Sequence, residues 1–69
     1  MSHILSCAND NGKTYLKEVD TKNMVLYFTN HASEAKHYSN EWFADTELEF
    51  IKFHFKDNEN VKQLVREYI

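Results

Sequence analysis

The chain contains no proline and a single glycine, Gly12. With so few breakers, most of its 69 residues should lie in regular elements joined by tight connections. One glycine also rules out a glycine-rich phosphate loop. Cysteine is represented by Cys7 alone, so no internal disulfide can form. Small secreted domains usually need several, which points to a cytoplasmic setting, in the protein's own cell or in a host's. No apolar run approaches the roughly 18 residues of a membrane span, and residues 3–8 are too short for the apolar part of a secretory signal. Neither membrane insertion nor export is expected. Arginine is nearly absent, with Arg66 standing alone, and 11 acidic against 8 basic residues give a net charge of −3. That balance disfavours nucleic-acid binding through a broad basic surface.

What is present suits a globular fold. Hydrophobic residues make up 42% and aromatics 14%, too apolar for a disordered chain. The length supports one domain, residues 1–69. A chain of this size buries only about 60% of the surface its unfolded form exposes. It has room for one core and little for a walled active site, which favours a binding surface over an enzyme.

Residues 3–8 form a short apolar run, followed by Asn9-Asp10-Asn11-Gly12. Asn-Gly supplies the positive φ angles of a tight hairpin. Residues 13–19 alternate loosely, Asp20-Thr21-Lys22-Asn23 reads as a second turn, and residues 24–29 are dense in strand formers. The first 29 residues therefore predict a three-stranded antiparallel meander. Thr29 or Asn30 can cap a helix, and Ala32, Ala35, Tyr38, Trp42 and Phe43 carry helical spacing, with Ser39-Asn40 as a point of interruption. Residues 48–56 hold three of the chain's five phenylalanines. The alternation of Ile51, Phe53 and Phe55 with Lys52, His54 and Lys56 predicts a fourth strand. A helical reading competes, because Ala44, Leu48, Ile51 and Phe55 fall on one helix face. Asp57-Asn58-Glu59-Asn60 is a polar break with good caps. Val61, Leu64, Val65, Tyr68 and Ile69 then predict an amphipathic C-terminal helix. The expected class is α+β: a small antiparallel sheet made of the meander and a fourth strand, with a central helix and a C-terminal helix packed on it.

Chemistry-bearing motifs are few. His3, His31, His37, His54 and Cys7 do not fall into the paired ligand spacings of structural zinc, so no metal and no cofactor are expected. Cys7, Ser33 and Ser39 lack an evident base and orienting group, so no catalytic residue is assigned and the protein is read as a non-enzyme. Aromatics interleaved with lysine in residues 50–56 could stack on single-stranded nucleic acid, although the acidic balance argues for a packed sheet face instead. Glu41, Asp45, Glu47 and Glu49 form an acidic run beside Trp42 and Phe43. Aromatic residues concentrate at interface hot spots. The expected partner-binding surface is accordingly Tyr38, Glu41, Trp42, Phe43, Asp45 and Glu47, with Trp42 and Phe43 as anchors and the acids as a charged rim.

Tyr15-Leu16, the strand ending in Phe28-Thr29, and Glu34-Ala35-Lys36-His37-Tyr38 together resemble very short accessory proteins encoded by bacteriophages and prophages. The likeness covers about half the chain. It implies a protein of host-takeover or anti-defence type that binds and blocks a host enzyme or defence complex. Such proteins occasionally sequester a nucleotide signal instead. The leading expectation is thus a non-enzymatic inhibitor of a host protein. A small-ligand or nucleotide-sequestering homo-oligomer is the alternative, since a short chain gains core by pairing, and a nucleic-acid-associated regulator is a further one.

Overall fold

The computed structural model describes residues 2–10 and 12–69. Its architecture is α+β. A four-stranded antiparallel sheet of order β3-β2-β1-β4 carries one main helix and one short helix. The strands are β1 (His3–Asn9), β2 (Gly12–Asp20), β3 (Val25–Thr29) and β4 (Val65–Tyr68). The helices are α1 (Glu41–His54) and α2 (Glu59–Lys62).

The meander follows from its turns. Asn9 pairs with Gly12, leaving a two-residue connection, and Gly12 takes φ +117°, where a side chain would be strained. Asn11 of the expected turn lies outside the described residues. At the second turn the Asp20 carboxylate accepts from the Asn23 backbone N–H at 3.0 Å and from its side-chain amide at 2.9 Å. Met24 then closes the turn in the left-handed region at φ +54°. Between Leu16 and Glu18 the β2–β3 register shifts. This bulge carries one extra residue, so Leu16 and Val19, three apart, both reach the same core.

Alternation places Leu5 and Cys7 on the sheet face beneath α1, with Leu16, Ala44, Ile51, Val61 and Leu64 in the same buried cluster. Ile4 and Ser6 occupy the opposite face of β1 and are buried as well. A central strand buried on both faces needs partners on both edges, because unpaired backbone groups there would be costly.

That requirement decides the C-terminus. The expected helix over residues 61–69 is instead one short helical turn, α2, followed by β4. Val65 to Tyr68 pair with Ser6 to His3, supplying the second edge of β1. Leu64 stays in the core, but the spacing of Val65 and Tyr68 was not helical in origin. Tertiary pairing overrides local pattern in so short a segment.

The expected fourth strand over residues 48–56 is likewise corrected. It is the second half of α1. Ala44, Leu48, Ile51 and Phe55 are the stripe that meets the core, while Phe53 points to solvent. A strand starting at Leu48 would need a turn just before it, and Asp45-Thr46-Glu47 has no breaker to make one. The expected helical segment over residues 31–43 divides at Ser39-Asn40: Ala32–Glu34 form a turn of the 3₁₀ type, and Glu41–Phe43 open α1. Tyr38 is extended and bridges to His3. The helix begins after Asn40, whose side chain accepts from the Phe43 N–H at 3.0 Å, so the Ser39-Asn40 interruption is the N-terminal boundary of α1.

Candidate interaction surface

The six residues expected to bind a partner separate into two groups. Trp42 and Phe43 lie on the first turn of α1, both exposed, with their rings edge to face at 5.3 Å. Trp42 is 68% exposed. The other four are engaged within the fold. Tyr38 is only 6% exposed, and its hydroxyl donates to Glu47 Oε1. The same oxygen accepts from Lys36 Nζ at 2.8 Å. Burial, together with donation to a carboxylate, pushes the Tyr38 hydroxyl far above its ordinary pKa. Asp45 and Glu41 both receive Arg66, at 2.8 Å and 3.1 Å. These two ion pairs tie β4 to α1. Three acids of the run are therefore tied into the fold, while Glu49 is exposed and Glu41 keeps a largely open side chain.

A residue the strand reading had placed in the core completes the surface. Phe53 is 74% exposed, more than any other large apolar residue described. Trp42, Glu49 and Phe53 stand at i, i+7 and i+11, which puts them on one outer stripe of α1 about 16 Å long at 1.5 Å per residue. The signal was present in the spacing of Trp42 and Phe53, but it is readable only once the segment is known to be helical. Charges around the stripe are polarised along the axis. Glu49 lies toward its middle, and Lys52 and Lys56 lie at its C-terminal end. Among the described residues, none of these three has an ion-pair partner within the fold. Phe53 also touches His54 edge to face at 5.0 Å, and His54 lies against Phe50 at 4.3 Å.

Beside the first turns of α1 lies a groove of about 510 Å³, with Phe43 and Phe50 as apolar walls and Lys36, Tyr38 and Glu47 as polar lining. Lys36 and Tyr38 both bond Glu47 Oε1, and Thr21, His37, Ser39 and Thr46 add further polar lining.

Other chemistry-bearing groups are dispersed. The described residues contain no cluster of three or more histidine, cysteine or acidic side chains that could hold a metal ion. Cys7 is buried in the core, and desolvation raises its thiol pKa. His37 Nδ1 lies 2.5 Å from the Ser2 hydroxyl, and the pair is exposed. No described helix is long and apolar enough to cross a membrane. Compared with known proteins, the chain finds no match among family models, curated proteins or solved structures.

Proposed function

We propose that the protein is a non-enzymatic binding module that docks on a protein partner through the outer face of α1. The observation that carries this reading is the exposure of Trp42 and Phe53 on one stripe of a helix whose opposite stripe already completes the core. Large aromatics left mostly in water contribute little to the fold, and such residues concentrate at interface hot spots. An amphipathic helix with two aromatic anchors about 16 Å apart matches helix-in-groove recognition. The partner surface would be an apolar cleft, with basic groups facing Glu49 and acidic groups facing Lys52 and Lys56. The resemblance to phage and prophage accessory proteins supports a host protein or defence complex as the partner, met in the host cytoplasm and blocked by occupation of that cleft.

The test is a pair of substitutions chosen from the structure. Trp42→Ala with Phe53→Ala should abolish recovery of the host partner while leaving the far-UV circular dichroism unchanged and the melting transition cooperative, lowered by no more than about 10 °C. Asp45→Lys is unsuited to this purpose, because it breaks the bond to Arg66. Retention of the partner by the folded double variant would refute the surface. The groove beside Phe43 and Phe50 supports the alternative of a small planar ligand, such as a nucleotide base. That reading expects a large thermal stabilisation by one nucleotide, undiminished by the Phe53 substitution.

A further inference from the structure

We infer that β4 is a self-complementary edge through which two copies of this chain join their sheets. The surface is separate from the outer face of α1. β4 ends the strand order on its side of the sheet, and its hydrogen-bond phase is fixed by its neighbours. Ser2 and Ile69 exchange both backbone bonds, at 2.9 Å and 2.8 Å, whereas His3, opposite Tyr68, directs its N–H and C=O to Tyr38 instead. In an antiparallel ladder the direction alternates residue by residue. Val65, Glu67 and Ile69 therefore point their backbone groups toward β1, and Arg66 and Tyr68 point theirs outward.

This edge lacks the usual protections. It has no proline, no lysine and no bulge, devices that natural sheets use to keep edges apart. Val65 and Tyr68 are each more than half exposed on it, and Ile69 is exposed beside them. Its two charged side chains are both compensated within the copy: Arg66 by Asp45 and Glu41, and Glu67 by Lys13.

Self-complementarity selects a second copy over a foreign strand, and it also selects the register. A two-fold axis at Glu67 sets Arg66 of one copy opposite Tyr68 of the other, so the outward groups exchange four backbone hydrogen bonds. The same register faces Val65 with Ile69 of the second copy on one side of the sheet. On the other side it brings the Tyr68 ring to the Arg66 guanidinium, a favourable cation–ring pairing. Glu67 meets Glu67 at the axis, but each arrives with its own lysine, giving an alternating cluster of zero net charge. Moving the axis to Arg66 opposes two arginines instead. The product is a continuous eight-stranded antiparallel sheet with the two α1 helices on the same face, which leaves both outer stripes free.

Sedimentation equilibrium from about 10 µM to about 1 mM tests this, a range suited to a small edge-to-edge contact. Wild type should approach twice the monomer mass at the upper end. Tyr68→Pro removes an outward N–H without touching the bonds to β1 and should stay monomeric throughout, with an unchanged circular dichroism spectrum. If that variant does not fold, Val65→Lys, at an exposed position, must give the monomer. Tyr27→Lys on the opposite edge should still pair. A wild type that remains monomeric at 1 mM, a folded Tyr68→Pro that still pairs, or loss of pairing in Tyr27→Lys would each overturn the assignment.

Discussion

Residues 51 and 53 differ by two positions and should differ in energetic weight by several fold. In a strand they would share a face; in α1 they do not. Ile51 is fully buried. Ile51→Ala removes three carbon groups, about 2.4 kcal/mol at about 0.8 kcal/mol each, and the cavity left behind brings the loss to about 3–5 kcal/mol. A chain of 69 residues has a total stability of roughly 3–10 kcal/mol at the usual stability per residue, so this variant should lose from about a third of it to all of it at 25 °C. Phe53 is three-quarters exposed. Its buried quarter is about 50 Å² of a side chain of roughly 200 Å², or about 1.3 kcal/mol. Alanine's better helix propensity returns about 0.5 kcal/mol, so Phe53→Ala should cost under about 1 kcal/mol. Urea unfolding followed by circular dichroism at 222 nm is the appropriate assay, since Trp42 is already solvent-exposed and reports unfolding poorly. Ile51→Val, expected at about 1 kcal/mol, keeps the comparison measurable if the alanine variant does not fold. A loss for Phe53→Ala as large as that for Ile51→Ala would show that the two side chains share a buried face and that the helical register is wrong.

Two further outcomes are expected. A double-mutant cycle of Arg66→Ala and Asp45→Ala should return a coupling of about 1 kcal/mol, because their 2.8 Å bond joins half-exposed groups across β4 and α1; a coupling indistinguishable from zero would remove Asp45 from the internal wiring. The Asp20 carboxyl is held below its ordinary pKa by the side-chain and backbone hydrogen bonds from Asn23. Its contribution is therefore complete above the unfolded-state value, near 3.9, and is lost as pH falls through the lower folded-state value. An Asp20→Asn variant should lose less stability than wild type between about pH 4 and pH 2, and an identical acid limb in the two proteins would refute the assignment.

The N-terminal meander was legible because its information is local. Asn9 to Gly12 and Asp20 to Asn23 carry their turn chemistry within four residues, and the intervening runs are rich in strand formers. The outer half of the candidate surface was legible for a similar reason, since Trp42 and Phe43 stand out among acids and polar residues. The rest depends on distant partners. Residues 48–56 satisfy a strand period and a helical period together, and the choice is made by Asn40 and by the continuity of Ala44, Leu48, Ile51 and Phe55. β4 has only four residues, and its apolar members fall at spacings a helix also allows. What selects the strand is the empty edge of β1, 60 residues away in sequence. Sequence pattern places Tyr38 on a binding surface as an aromatic and Glu47 as part of an acidic rim. No local signal announces that they satisfy one another, with Lys36, at the edge of the core.

Arg66 connects these levels. It is the chain's only arginine, it sits on the strand that sequence pattern misses, and it occupies two of the acids that pattern assigned to a partner. Its outward backbone faces the free edge of the sheet, and its side chain holds the first two turns of α1. Were Glu41 and Asp45 free, α1 would present an acidic helix, and attraction to a basic surface would be a sufficient account of binding. With Arg66 offsetting one of these two charges and Lys52 and Lys56 offsetting the other and Glu49, the outer face of α1 has little net charge, and its distinguishing features are Trp42 and Phe53. Recognition by this protein should therefore rest on apolar complementarity, with charge setting orientation, and should weaken only modestly as salt is raised.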